Sequence, residues 1–282
     1  MFRRLKVVYC ASILCACILF SYPVISSAEL THTEPIYPIA SATNVLKKDA
    51  ITVDISNDWL GYIMIRQEVR PGEFITTLTH MDSVYQYDQK SDGEYATYPL
   101  SEGDGRYAIE VYELSVPNTN RYHRIFSNSI DVVMPDPYAV FLIPNDYVWF
   151  TRDSAIIQKS EELCEGLTDA YDMVDAIYQY VTDNILYDYI KAATVSPHYI
   201  PNADETLATG RGICFDFAVL FAGMLREQGI PAKLIIGKHM STNPPMPHAW
   251  TQVYLDGNWR LMDPTLKVDA YMDPDYLEMR AY

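Results

Sequence analysis

The chain has 282 residues, of which 49% are hydrophobic and 21% charged, a composition that allows a sizeable core and excludes wholesale disorder. Its 21 basic and 37 acidic residues give a formal net charge of −16. Such a charge repels nucleic acid and anionic lipid, so neither is expected as a partner.

The first 28 residues have the layout of a secretory signal peptide. Three basic residues among the first six precede an apolar run over 7–20, and small residues end the segment at Ala28. We therefore predict that residues 1–28 are cleaved and that the protein is secreted or held at the cell surface, without membrane insertion. Cleavage would leave 18 basic and 37 acidic residues, a net charge of −19. The alternatives are a retained membrane anchor and, less favoured, a lipoprotein signal around Cys15 and Cys17.

Cysteine usage excludes a disulfide framework. Three of the five cysteines lie within the predicted signal peptide, which leaves Cys164 and Cys214. A single bridge between these two is an alternative, and it would abolish any thiol chemistry. We interpret Cys164 as a small buried hydrophobic residue.

The first half of the chain has the pattern of short strands. Residues 29–48 have no hydrophobic periodicity and are predicted as a linker. Residues 49–150 alternate apolar and polar positions between turn signals and predict an antiparallel β-sandwich. The clearest predicted strands are 52–55, 62–65, 107–112 and 130–134.

The second half, residues 151–282, is predicted as an α+β domain, in which helices come first and an antiparallel sheet follows. The helical pattern changes to a strand pattern after Gly229, and Asp256-Gly257 is a strong hairpin signal. Residues 186–210 are predicted as a long loop. The predicted helices are 153–166, 169–184 and 214–228, and the predicted strands are 233–236, 248–255 and 259–262.

Cys214 is the candidate nucleophile. It follows Gly210 and Gly212, which allow a sharp turn, and it starts a predicted helix. The N-terminus of a helix offers unpaired N–H groups and the positive end of the helix dipole, and both favour a thiolate. The same N–H groups can hold the oxyanion of a tetrahedral intermediate.

His248 and Asp263 are the candidate base and orienting carboxylate. They flank the Asp256-Gly257 turn by eight and six positions, which lie nearly opposite each other in an antiparallel pair. The carboxylate can then fix the imidazole while the other ring nitrogen faces the thiol. His239 is the alternative base, but the pattern pairs it with no carboxylate. A metal site built from a cysteine, a histidine and an aspartate would need a fourth ligand, and none with a familiar spacing appears. No cofactor is implied.

Four blocks of this half resemble the transglutaminase-like superfamily, which shares a papain-like core with cysteine peptidases. The matching blocks are GICFDFA at 212–218, GIPA at 229–232, HAW at 248–250 and WRLMDPT at 259–265. The resemblance covers roughly residues 155–266 and implies Cys214 as nucleophile, His248 as base and Asp263 as orienting residue. Papain-like members carry an oxyanion glutamine shortly before the cysteine, whereas Ala208 and Thr209 stand there in this chain.

The resemblance implies acyl transfer on peptide or protein amides, by hydrolysis or by cross-linking, and we favour hydrolysis at the cell surface. The expected partner is a peptide or protein substrate. One alternative is a catalytically silent transglutaminase-like domain that serves as a cell-surface binding module, and another is a structural cell-wall protein. Tyrosines before and within the 186–210 segment, among them Tyr187 and Tyr199, are candidates for a substrate groove.

Overall fold

A computed structural model describes residues 35–116, 119, 121–196 and 198–282. The predicted signal peptide, residues 1–28, lies outside the described residues, as does the first part of the predicted linker. The remainder of that linker contains the first strand, β1. Within the described residues, no helix combines the length and apolar character needed to cross a membrane.

The first half of the molecule contains two four-stranded antiparallel sheets. One sheet has the order β1-β2-β3-β6 and the other β5-β4-β7-β8. Alternate residues of β4 and β5 are buried, as expected for strands with one face on a core. The strands are β1 Val45–Lys48, β2 Ile51–Asp54, β3 Tyr62–Gln67, β4 Phe74–His80, β5 Ser83–Gln89, β6 Tyr95–Pro99, β7 Gly105–Leu114 and β8 Tyr122–Val132.

Helices follow, packed around one buried helix, α5. Every residue of α5 from Asp216 to Arg226 is buried, which fits a sequence that is apolar on all sides. Helices α1, α2 and α4 surround α5, and strands β11 and β12 lie against it. The helices are α1 Ala155–Cys164, α2 Ala170–Asn184, α3 Tyr189–Thr194, α4 Ala203–Thr209 and α5 Cys214–Glu227.

The prediction of a long loop over 186–210 is wrong. This segment contains α3, α4 and a short strand, β9 (Leu186–Tyr187), which pairs in parallel with β10 (Arg211–Gly212). The Asp188 side chain caps α3 by accepting from two backbone N–H groups, and the Asn202 side chain caps α4 by accepting from the backbone N–H of Glu205. Helices of six and seven residues are too short to show a hydrophobic period, so their caps were the only sequence signal.

A five-stranded antiparallel sheet with the order β14-β13-β12-β11-β15 completes the molecule. As predicted, Asp256 and Gly257 form the turn between β12 and β13, and both adopt positive φ angles of 46° and 79°. The observed order of sheets and helices confirms the predicted α+β class. The strands are β11 Ala232–His239, β12 Met246–Leu255, β13 Asn258–Asp263, β14 Val268–Ala270 and β15 Tyr276–Ala281.

One continuous hydrophobic core joins the first two sheets to the helices. It contains residues of both sheets, such as Ile65 and Ile109, together with Phe150 and most of α5. The fully buried Arg226 adds polar contacts to this junction, because its guanidinium donates to the carbonyl oxygens of Ile143, Ala232 and Tyr282. The predicted boundary at residue 150 therefore crosses a shared core, and the domain limits stay a prediction.

Candidate active site

Cys214 is the first residue of α5 and is half-buried. The start of the helix is fixed by Asp216, whose carboxylate accepts from the backbone N–H of Ile213 at 2.8 Å. Gly212 makes this turn possible, since a Cβ at that position would lie 2.6 Å from the Cβ of Asp216. The glycine and the aspartate together place the thiol at the end of the helix.

His248 and Asp263 form a buried pair on neighbouring strands. Nε2 of His248 lies 2.6 Å from Oδ2 of Asp263, and neither side chain is more than 2% exposed. The register of β12 and β13 pairs Thr251 with Met262, so the two residues are diagonal neighbours, as the turn spacing predicts. The other ring nitrogen, Nδ1, is buried and has no hydrogen-bond partner among the described residues.

The Asp263 carboxylate accepts four hydrogen bonds. Besides His248, Tyr276 donates its hydroxyl to Oδ2 at 2.8 Å, and the N–H groups of Thr265 and Leu266 donate to Oδ1 at 2.8 and 3.2 Å. Burial by itself would raise the pKa of Asp263, but its contacts with His248 and the other donors hold that pKa below the usual value. Asp263 is therefore ionised and fixed in place.

The protonation of His248 follows from its two neighbours. Burial by itself would lower the pKa of His248, but the Asp263 carboxylate and the Cys214 sulfur outweigh it and raise the pKa to about 9. At neutral pH the ring is therefore an imidazolium. One N–H is directed at Asp263, and Nδ1 remains for the thiol.

Asp216 also ties α3 to the start of α5. It is fully buried, and Lys191 of α3 reaches it with Nζ at 2.9 Å from Oδ2. Tyr199 donates its hydroxyl to Oδ1, and the Lys191 ammonium lies 4.5 Å from the centre of the Tyr199 ring. These contacts hold α3 and the segment after it beside Cys214.

Cys214 and His248 line one cavity of about 710 Å³. Its walls come from several separate parts of the chain. Strand β5 and residues 146–147 form one side, and α3 with the segment that follows it forms another; the start of α5 and the start of β12 complete it. A cavity of this size holds a few residues of a peptide.

The alternatives raised by the sequence are not supported by the arrangement of side chains. Cys164 and Cys214 are both free thiols, so they form no disulfide. His239 lies beside His248, with ring centres 5.8 Å apart, but its Nδ1 contacts the hydroxyl of Ser241 at 2.8 Å. It has no carboxylate partner among the residues that the structure describes.

The residues that replace the papain-type glutamine do not reach the cavity. Thr209 donates its hydroxyl back to the carbonyl oxygen of Glu205 at the end of α4. Tyr187, by contrast, lines the cavity, and its pKa is raised first by burial and then by the nearby Cys214 sulfur. Of the tyrosines predicted for a groove, Tyr187 and Tyr199 line the cavity, whereas Tyr178 donates to the backbone oxygens of Asp263 and Val268.

Sequence reasoning missed Asp216, Tyr276 and the cavity wall formed by Asp88 and Asp146. Asp216 had a local signal, since an acidic residue three positions after an N-cap residue is typical of a helix start. The other three had none, because Asp88 and Asp146 reach the cavity, and Tyr276 reaches Asp263, through tertiary contacts that no sequence pattern marks.

Comparison with known proteins gives the class of the second half. Residues 157–264 match the family model described as the transglutaminase-like superfamily, which confirms the predicted resemblance. Among curated proteins, none matches the chain significantly.

Several solved structures are similar to the chain at low identity. One, from Cytophaga hutchinsonii, is described as a candidate cysteine protease; it is 18% identical, covers 85% of this chain and 73% of its own, and gives a TM-score of 0.45. The periplasmic domain of TgpA from Pseudomonas aeruginosa is 14% identical over 84% of this chain and 75% of its own, with a TM-score of 0.38. LapG from Legionella pneumophila is 14% identical over 45% of this chain and 70% of its own, with a TM-score of 0.37.

Proposed function

We propose that the protein is an exported cysteine-dependent acyl-transfer enzyme that acts on peptide or protein amides. Cys214 is the nucleophile, His248 the acid and base, and Asp263 the residue that orients the imidazole. The observation that carries this proposal is the 2.6 Å contact of Asp263 with His248, which lines the same cavity as Cys214. Membership of residues 157–264 in a superfamily with this chemistry supports it.

The first half-reaction forms a thioester. The Cys214 thiolate attacks the amide carbonyl, and the N–H groups at the start of α5 stabilise the oxyanion. The imidazolium of His248 then gives a proton to the leaving nitrogen, the C–N bond breaks, and an amine is released.

The second half-reaction regenerates the enzyme. Neutral His248 takes a proton from water, the resulting hydroxide attacks the thioester, and the C–S bond breaks to release a carboxylic acid and the Cys214 thiolate. An amine in place of water would give a cross-link by the same steps. We favour water, and thus hydrolysis of a substrate at the cell surface.

The proposal is tested by the pH dependence of Cys214 alkylation with iodoacetamide, in a Cys164→Ala background. In the unsubstituted chain, burial raises the pKa of Cys164 to about 11, so this substitution removes only a slow background reaction. Free cysteine is almost wholly a thiol at pH 6. We expect Cys214 to react at that pH at least about tenfold faster than free cysteine.

His248→Ala is the matched variant. It removes the imidazolium beside the sulfur, so the advantage at pH 6 should disappear. Alkylation of the parent no faster than free cysteine at pH 6 would contradict the proposal. It would favour the catalytically silent binding module instead.

A further inference from the structure

The cavity that contains Cys214 and His248 has an acidic wall. Two carboxylates, Asp88 and Asp146, line it together with those residues. Neither belongs to the transglutaminase-like segment 157–264, and neither takes part in the proposed bond chemistry. Their presence in the same cavity therefore needs a separate explanation.

Asp146 is half-buried and unpaired. Its side chain has no hydrogen bond or ion pair within the part of the chain that the structure describes. Burial raises the pKa of Asp146 to about 6; the charge of Lys90 opposes this rise, and that of Asp92 adds to it. Asp146 is thus ionised at neutral pH. A desolvated carboxylate without a partner destabilises a fold. Such groups are typical of ligand-binding and catalytic sites.

Asp88 stands at the outer rim. Nδ1 of His198 lies 3.1 Å from its Oδ2, and both side chains are largely exposed. The rim and the deeper Asp146 therefore give the cavity two carboxylates, with no lysine or arginine lining it among the described residues.

The rest of this wall is aromatic and contains one unsatisfied hydroxyl. Tyr87 is only 2% exposed, and its hydroxyl is buried with no hydrogen-bond partner among the described residues. Tyr147, Tyr199 and Phe215 line the same cavity. Aromatic faces attract cations and cover the aliphatic part of a long basic side chain. The Asp146 carboxylate, which is unpaired and lines the cavity, points to a missing polar ligand.

We propose that this wall binds a lysine or arginine side chain of the substrate, within two residues of the carbonyl that Cys214 attacks. The inference rests on the proposed function, since it names the substrate class for that reaction. The basic head group lies between Asp146 and Asp88, and its aliphatic stem packs against the tyrosines. The strongly acidic chain, with a net charge of −16, also attracts basic peptides from a distance.

The test uses peptidyl chloromethyl ketones, which alkylate a thiol at the position of the substrate carbonyl. Two series carry lysine, or the uncharged norleucine of similar length, at the last or the last-but-one residue. The rate constant for labelling Cys214 is measured by mass spectrometry in the Cys164→Ala background. In at least one series we expect lysine to react about tenfold faster than norleucine, the factor typical of one charge-assisted contact.

Asp146→Asn should reduce this ratio to about threefold or less, and the double change with Asp88→Asn should bring it close to one. Asp153→Asn is the matched control, because Asp153 is exposed and outside the cavity and the change in net charge is the same. It should leave the ratio unchanged. Asp146→Asn removes only an unpaired carboxylate, so folding should not suffer.

The outcomes separate the two proposals. A ratio near one in both series, while iodoacetamide still labels Cys214 quickly, overturns the basic-substrate inference and leaves the acyl-transfer proposal standing. A tenfold ratio that survives the double change also overturns it. Slow labelling by iodoacetamide itself overturns the acyl-transfer proposal.

Discussion

The pairing of His248 with Asp263 makes the stability of the fold depend on pH. Because the pKa of His248 rises from 6.5 to about 9 on folding, its contribution is full below pH 6.5 and is lost as the pH rises through 9. Because the pKa of Asp263 falls below 3.8, its contribution is present above that pH and is lost on acidification. The pair therefore stabilises the fold most between about pH 4 and 6.5.

We expect His248→Gln to lower the free energy of unfolding by about 3 kcal/mol at pH 6 and by clearly less at pH 9, measured by urea denaturation.

His80→Gln provides the control at this scale. His80 is buried too, but its ring contacts the backbone oxygen of Asp104 at 3.1 Å and has no carboxylate partner among the described residues. The loss of unfolding free energy caused by His80→Gln should therefore not show the decrease between pH 6 and pH 9 that is expected for His248→Gln. A difference between wild type and His248→Gln that is constant from pH 6 to 9 would contradict the assignment of His248 as an imidazolium.

Among the elements, α3 depends on a single buried carboxylate. Asp216 accepts hydrogen bonds from Ile213, Lys191 and Tyr199. Its loss would leave the start of α5 uncapped and the Lys191 ammonium of α3 without its partner. We expect Asp216→Ala to destabilise the fold by about 3 kcal/mol and to increase hydrogen exchange over 189–213 more than over β12 and β13. Asp183→Asn is the comparison, since it breaks only the exposed pair with Lys267. A change below about 0.5 kcal/mol is expected there. Equal effects of the two substitutions would exclude Asp216 as the anchor of α3.

At the scale of the whole molecule, the shared core predicts that the two halves fold together. Gly223 of α5 packs beneath Phe150 and Val148, whose side chains would lie 3.7 and 3.8 Å from a Cβ at that position, and Arg226 donates to the carbonyl oxygen of Ile143. A fragment of residues 151–282 would lose these partners and leave part of the α5 surface exposed. We expect the full described chain to unfold in one transition, with coincident circular dichroism and tryptophan fluorescence, and the fragment not to fold. Cooperative unfolding of the isolated fragment would instead support an independent domain that begins at 151.

The sequence was a good guide wherever structure depends on neighbours along the chain. The hydrophobic periodicity and the residues that begin or end helices predicted the bounds of α2 and α5 to within a residue or two. The Asp256-Gly257 turn predicted the approach of His248 to Asp263. The helices of the 186–210 segment were missed because six or seven residues carry no readable period. Tyr276 and Asp146 were missed for a different reason. Tyr276 reaches Asp263, and Asp146 reaches the cavity, through tertiary contacts that have no fixed spacing from Cys214.

The cavity is assembled from parts of the chain with separate tasks. Cys214 and His248 belong to the transglutaminase-like segment, whereas Asp88 and Asp146 are supplied by the region before it. Under the proposed function, substitutions in that earlier region would alter which substrate is accepted while Cys214 and His248 keep their surroundings. Selection, in nature or in a library randomised at Gln86, Asp88 and Asp146, could redirect this scaffold to new targets without rebuilding its chemistry.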